Sequence, residues 1–295
     1  MNIVDVLRFI VQHPLNQGQR ARAIGRFFRW QIASRLLPFP VALPFVNDLQ
    51  LLVVRGMTGA TGNYYCGLHE PDDMAFVLHF LRPGDSFYDI GANVGSYTLL
   101  AAATGVTTIV SFEPSAATSA RLERNIVFNG LSGVVTVHRV ALGEQTGEVR
   151  FSQEHDTTNH VLAEGEYCSQ AEIVAVRRFD DFYSSGRPSF IKMDVEGFES
   201  QVLAGATAAL NDPALLGLLV EDNGSDKRYG RESSIAQTLH SCGFAAFKYD
   251  PSKRTLRPTD AADPPRGNIL FLRDLDQAAM RVAAAPRFRL VNGEI

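Results

Sequence analysis

Phe87-Tyr88-Asp89-Ile90-Gly91-Ala92-Asn93-Val94-Gly95-Ser96 reads as the end of a strand, a glycine-containing turn and the start of a helix. The glycines permit a tight turn and let the backbone approach a ligand closely. A helix beginning there presents free N–H groups, suited to a carboxylate. Eighteen residues past Gly95, Glu113 ends a second apolar strand, placed to accept hydrogen bonds from two ribose hydroxyls. A dinucleotide-binding domain, as in an NAD-linked oxidoreductase, shares this plan. Two details count against it: the spacing is GxxxG rather than GxGxxG, and Asp89 would repel a pyrophosphate. S-adenosylmethionine carries an ammonium and a sulfonium and no phosphate, so an acid suits it. Asp89 could also simply cap the turn through nearby N–H groups.

Working outward, short apolar runs alternate with helical segments, the signature of a parallel α/β sheet. Strands are expected at 86–90, 107–112, 134–140, 188–193 and 215–220, with helices at 96–103, 115–129, 198–210 and 233–242 between them. Runs at 244–249 and 268–272, joined by the Pro/Asp-rich stretch 251–266, suit a hairpin closing the sheet edge. An insertion at about 143–182 holds two alternating runs, 148–152 and 173–177, and reads as a small antiparallel extension. Loops there would lie by the carboxyl ends of the strands, where open α/β sheets bind ligands. The chain thus divides into a basic helical extension (1–60), the α/β domain (61–275) and a C-terminal tail (276–295).

The totals are those of an ordinary globular chain: 295 residues, 45% hydrophobic, 20% charged. A net charge of −4 gives no whole-protein pull toward nucleic acid. Cys66, Cys168 and Cys242 form no CxxC pair and suit neither a zinc site nor a disulfide framework, so a reducing cytoplasm is the simpler setting. No signal peptide or spanning segment is expected; the apolar stretch 36–46 is short and broken by Pro38, Pro40 and Pro44. Residues 1–37 nevertheless carry six arginines against one acid, Asp5, with Phe9, Phe27, Phe28 and Trp30 interleaved. That pattern fits a peripheral contact with a membrane or an anionic partner. It fits equally a helical lid whose aromatics pack on the domain while its arginines stay solvated.

The series FYDIGANVGSYTLLAA, SFEPSAATSARLERNIVFNGL, VAL at 140–142 and FIKMDVEGFESQVLAGA resembles the FkbM family of methyltransferases, from about Gly62 to Leu272. The resemblance implies a class I, Rossmann-like methyltransferase fold. That fold is a seven-stranded, mostly parallel sheet with helices on both faces, here with the N-terminal helical extension and the small β insertion. It also implies S-adenosylmethionine as donor and a hydroxyl oxygen as acceptor, on a carbohydrate, glycolipid or related natural product. Carried over by motif, Asp89, Gly91, Asn93, Gly95 and Glu113 fall in the donor site, with Ala141 and Leu142 against the adenine. Glu70, before Pro71, matches a glutamate of the family pattern and would help close the donor pocket.

Methyl transfer aligns acceptor oxygen, methyl carbon and leaving sulfur, so positioning carries much of the rate. A base near the alcohol adds about 10²–10⁴-fold. Asp194 and Glu196, after the fourth expected strand, are candidates, with Lys192 on the same strand face as Asp194 to neutralise it and contact the acceptor. Alternatively Asp194 caps the next helix and Glu196 faces its dipole. Glu221 and Asp222 end the fifth strand, and Glu221 is expected to touch the acceptor. Hard oxygen ligands suit magnesium or calcium, yet no fixed spacing completes a metal site, and none is assigned. In the insertion, His155 and His160 are candidates for base or acceptor contact, with Asn159 beside them. Tyr64 and Tyr65 suit a sugar ring or the core equally.

Overall fold

The computed structural model describes residues 3–153, 158–183, 186–222, 235–259 and 267–295. Two helices, α1 (Ile3–Gln12) and α2 (Arg20–Leu36), open the chain, followed by a hairpin of β1 (Val41–Pro44) and β2 (Gln50–Val53). The extension expected to be helical therefore also holds two strands. The outer edge of β2 is satisfied by a helix: Asn125 and Asn129, one turn apart, accept from the N–H groups of Leu52 (2.7 Å) and Gln50 (2.9 Å). Helices α3 (Thr58–Cys66) and α4 (Pro71–Phe80) lead into the sheet. Phe27 and Trp30 of α2 are buried in the same apolar cluster as α3 and α4. Tyr64 and Tyr65 are buried there too, so both are core residues.

Alternation of short apolar strands with helices builds the sheet. Strand β3 (Ser86–Ile90) is buried from Phe87 onward on both faces, the pattern of a central parallel strand. Then come α5 (Ser96–Ala103), β4 (Thr108–Phe112), α6 (Ala116–Phe128) and β5 (Val135–His138). The insertion supplies β6 (Ala141–Gly143), β7 (Gly147–Ser152) and β8 (Ala171–Arg178), a separate three-stranded sheet ordered β6-β8-β7. After α7 (Asp180–Tyr183) the chain returns through β9 (Phe190–Met193), α8 (Glu199–Ala204), α9 (Thr207–Asn211) and β10 (Gly217–Asp222). It ends with α10 (Ile235–Ser241), β11 (Ala245–Asp250), β12 (Thr255–Pro258), β13 (Gly267–Leu272), α11 (Leu275–Ala283) and a hairpin of β14 (Arg289–Leu290) and β15 (Gly293–Glu294).

The main sheet is ordered β12-β11-β13-β10-β9-β3-β4-β5, parallel from β10 to β5 and antiparallel beyond. This is the class I methyltransferase arrangement, with β13 slotted antiparallel between β10 and β11 and an eighth, unexpected strand, β12, at the edge. Adjacent side chains go to opposite faces: Phe87, Ile109 and Phe190 to one apolar cluster, Tyr88, Val110 and Ile191 to the other. The chain steps outward from β3 to β5 and then returns to place β9 on the other side of β3. A crevice therefore opens at the carboxyl ends of β3 and β9.

Two expected elements are cut short or broken. The strand expected at 134–140 stops at His138, because Ala141–Gly143 pairs with β8 and leaves the main sheet. The helix expected at 198–210 breaks into two at Gly205, which packs on the carbonyl of Gly143 so closely that a Cβ would lie 2.1 Å from its oxygen. The tail 276–295 is folded: Arg281 pairs with Asp85, and Asn292 donates to Cys66 O (2.7 Å) and Leu15 O (2.9 Å). No helix among the described residues is long and apolar enough to cross a membrane.

Candidate active site

At the crevice the loop after β3 is pinned on both sides. The N–H groups of Gly91 and Ala92 donate to Phe112 O of β4 (3.0 Å each), and Asp194 N donates to Ile90 O (2.9 Å). Gly91 has φ +79°, and a Cβ there would come within 1.8 Å of Asp194 O. Only glycine fits between the two strand ends. Gly95, at φ +96°, precedes α5 and sits against Leu122. Asn93 is left-handed at φ +48°, and Asn125 of α6 donates to Val94 O (2.8 Å). Asp89 lies beneath this loop, buried, accepting from Thr98 Oγ1 (2.6 Å), which also meets Ser111 Oγ (2.9 Å). Burial pushes the Asp89 carboxyl up to about 6. It lines the cleft floor and, besides that hydroxyl, accepts the backbone N–H of Thr98 in the first turn of α5.

Glu113 follows β4 and is buried, each carboxylate oxygen accepting one backbone N–H: Oε2 from Asn93 (3.0 Å) and Oε1 from Ser115 (2.9 Å). Burial pushes it up to about 7, against the pull of those two N–H groups. Each oxygen keeps a lone pair for a further donor. Beside it Phe112, Val140, Ala141, Leu142, Phe151 and Phe198 form an apolar slot, into which Asn159 also reaches. Asn159 thus lies at this end of the crevice, with its Oδ1 accepting from Ser152 Oγ (3.3 Å).

The other end of the crevice is a cavity of about 320 Å³ with a different lining: Asn63, His69, Glu70, Tyr97, Lys192, Asp194, Glu196 and Glu221 among others. Lys192 is almost wholly buried, donating to Asp194 Oδ2 (3.1 Å) and Asn268 Oδ1 (3.0 Å) and lying 5.1 Å from the centre of the Tyr97 ring. Burial pulls its pKa down, but Asp194, Glu70 and Glu221 more than offset this and hold it above the usual lysine value. Asn268 turns its amide nitrogen to Glu70 Oε1 (3.0 Å) and Asp73 Oδ2 (3.1 Å), and Tyr97 donates to Glu70 Oε2 (2.7 Å). Burial and then the charge of Glu70 push Asp73 up to about 7. Glu70 is thereby fixed by α5 and β13, on the cavity wall.

Asp194 and Glu196 precede the next helix: α8 begins at Glu199 with Phe198 at its cap position, so neither residue caps it or sits in its first turn. Glu196 adopts φ +57°, a strained backbone for a non-glycine residue, and lines both ends of the crevice. Burial, and then the charge and hydrogen bond of Asp194, push Glu221 up to about 9. Carboxylate oxygens of Asp194, Glu196 and Glu221 lie within 4.8 Å of one another and could ligate a hard cation, although Lys192 already supplies one positive charge to Asp194.

Of the two insertion histidines, His160 is not brought to this wall. His160 lines neither end of the crevice; its ring meets Glu166 Oε1 and Thr158 O, both at 3.0 Å. His155 lies outside the described residues. Among the described residues, four that the sequence left unmarked stand at this end of the crevice: Asp73, Tyr97, Asn268 and His69. Burial lowers the pKa of His69, and its Nδ1 has no hydrogen-bond partner among the described residues. Its ring fills the space left at Gly62, where a Cβ would lie 2.1 Å from Nδ1.

These residues fit S-adenosylmethionine. An apolar slot suits the adenine, and the spare lone pairs of Glu113 suit the ribose diol. Asp89 and Glu196 suit a cationic remainder, whereas the one lysine or arginine among the described residues of the crevice, Lys192, is already paired with Asp194 and suits a pyrophosphate poorly.

Comparison with known proteins gives the family. A 28% identical relative, the hexuronic acid methyltransferase AglP of Haloferax volcanii, aligns over 147 residues, 48% of this chain and 58% of that protein. Methyltransferase 1 of Beauveria bassiana is 30% identical over 148 residues, 42% of this chain and 59% of that protein. The chain therefore spans under two thirds of the length of either relative. Among solved structures, a precorrin-6y C5,15-methyltransferase of Geobacter metallireducens superposes with a TM-score of 0.41 at 9% identity, over 76% of this chain and 92% of that one. An O-methyltransferase of Thermotoga maritima gives 0.36 at 14% identity, over 68% and 64%. The profile described as Methyltransferase FkbM domain matches residues 89–245, more than half of the chain. The chain belongs to the S-adenosylmethionine-dependent FkbM methyltransferase family.

Proposed function

We propose that this protein moves a methyl group from S-adenosylmethionine to a hydroxyl oxygen of a carbohydrate or glycolipid acceptor. One observation carries the reading: the crevice is apolar at the Glu113 end and lined by Glu70, Asp194, Glu196 and Glu221 at the other. Ionised carboxylates accept hydrogen bonds, and sugar hydroxyls are donors that match them. A carboxylate-bearing acceptor would instead meet like charge. The name of AglP supports a sugar, while the acids of this crevice favour its hydroxyls over a hexuronate carboxyl.

The bound donor supplies an electrophilic methyl group. Glu113 holds the ribose, Asp89 sets negative charge beneath the loop, and the Asp194–Glu221 pair faces the acceptor. Asp194 takes the hydroxyl proton, and Lys192 fixes its carboxylate in place. His69, Glu196 and Glu70 complete the acceptor wall.

The test is incubation with methyl-labelled S-adenosylmethionine and separated neutral-glycan, glycolipid and uronate-containing fractions. Alkali-stable label in a glycan or glycolipid fraction, as a methyl ether gives, is expected. Label that mild alkali removes would be a methyl ester on a carboxyl and would overturn the hydroxyl assignment.

A further inference from the structure

Helix α2 is apolar on two sides. Ala23, Phe27 and Trp30 are buried against the body, and Arg26 is fixed there by Asn16 Oδ1 (3.1 Å) and Tyr65 O (2.7 Å). On the opposite side Phe28, Ile32 and Leu36 follow at intervals of four, which aligns them in one stripe. They are 53%, 61% and 73% exposed. Leu37 and Phe39 continue this apolar surface into the turn that follows. At 3.6 residues per turn, Arg29 lies roughly 60° to one side of the stripe and Arg35 roughly 60° to the other. Arg22 falls just beyond Arg29, and all three are exposed. From residue 6 to residue 47 the chain has six arginines and no aspartate or glutamate, although the whole protein is net negative.

Single exposed apolar residues are ordinary, but a contiguous stripe edged by one sign of charge marks a contact surface. We propose that α2 and the turn after it are the face by which this protein lies on a bilayer containing anionic lipid. The apolar stripe would enter the headgroup–acyl boundary while the flanking arginines meet lipid phosphates. Charge selects this occupant over a second copy of the chain. A two-fold contact sets the same surface against itself, so arginine would face arginine. No described helix can cross a membrane, so the attachment is peripheral. The placement also serves the crevice. The other side of α2 packs on α3, with Phe27 edge-on to Tyr65 at 5.5 Å, and Gly59, Ala60 and Asn63 of α3 line the acceptor end. Attachment by this face does not depend on which acceptor the crevice takes.

The test is co-sedimentation of the full-length protein with phosphatidylcholine vesicles, with and without phosphatidylglycerol. The protein is expected to pellet only with the anionic vesicles and to be released by salt. Ile32→Glu combined with Leu36→Glu should lower partitioning by at least about tenfold. Arg29→Gln should lower it by about fivefold. Both variants should keep the wild-type circular dichroism spectrum and S-adenosylhomocysteine affinity, because all three side chains project from the surface. Failure of the wild-type protein to bind anionic vesicles would overturn the proposal. So would unchanged binding by the double variant, or a solution dimer that this variant dissociates without any vesicle binding.

Discussion

Glu113→Gln is the sharpest perturbation of the donor site, because its consequences follow from four lone pairs. In the wild-type protein two of them are taken by the N–H groups of Asn93 and Ser115, leaving two for a ribose diol. Glutamine turns one oxygen into a donor, so one backbone N–H is left facing an NH₂ group. With only 6% of the residue exposed, water cannot make up the loss. An orphaned buried donor costs about 1–3 kcal/mol, which should appear as lowered thermal stability. Hydrogen bonds to a charged acceptor are worth about 1.5–3 kcal/mol each, and the variant keeps a single neutral acceptor for two hydroxyls. A net loss of about 2–4 kcal/mol makes S-adenosylhomocysteine binding about thirtyfold to several hundredfold weaker. Isothermal calorimetry measures it. Because burial pushes Glu113 up to about 7, wild-type affinity should also rise with pH through neutrality as the carboxylate forms, and the variant should lose that slope. A variant within about threefold of wild type, with the slope intact, would refute the ribose assignment.

Four further outcomes are expected. Asp194→Asn should leave S-adenosylhomocysteine affinity nearly unchanged while turnover falls by about 10²–10⁴-fold; surviving turnover removes Asp194 as the base and turns attention to His69. Gly91→Ala forces a side chain into left-handed backbone against Asp194 O, so donor binding and cooperative melting should both be lost; a wild-type melting curve contradicts the close approach. Asn268→Leu removes the bridge between Lys192, Glu70 and Asp73 and should lower the melting temperature; an unchanged temperature would show that the bridge adds no stability. Finally, Asp73, Asp89 and Glu113 all lie above the usual carboxylate range in the folded protein, so their stabilising contribution is full below that range and is lost as pH rises to about 7. His13, His69, His79 and His138, whose pKa values burial lowers, act in the opposite sense over the same range, so the test is the difference between proteins. Melting should favour about pH 5.5 over about pH 8 less in Glu113→Gln than in the wild type, and an equal pH dependence contradicts the Glu113 shift.

The nucleotide-binding half was legible because its signals are local. Strand 86–90 and helix 96–103 stand where the run from Ser86 to Ala103 puts them, since a short strand buried on both faces, two glycines and an apolar helix follow one another without interruption. The acids at the strand ends could be read for a related reason: parallel strands deliver their carboxyl ends to one edge, so Asp89, Glu113, Asp194 and Glu221 had to converge. What failed was decided by distant partners. Ala141–Gly143 left the third strand for β8, some thirty residues further on, and the helix after β9 broke where Gly205 meets the Gly143 carbonyl. Asp73 and Tyr97 went unmarked in the sequence because only distant partners, Asn268 and Glu70, bring them into the site. The lone asparagine ahead of Ile269-Leu270-Phe271-Leu272 was the one local sign of that hub. His160 looked catalytic by residue type alone, and its ring is taken up by Glu166 and Thr158.

The central claim concerns what the crevice binds, and calorimetric titration of the full-length protein with S-adenosylhomocysteine and, separately, with NAD tests it most directly. Saturable heat from S-adenosylhomocysteine and none from NAD is the expected result, since the described residues of the crevice offer acids to a cationic donor and their one lysine, Lys192, is already paired with Asp194. Tight NAD binding with no response to S-adenosylhomocysteine would contradict the account.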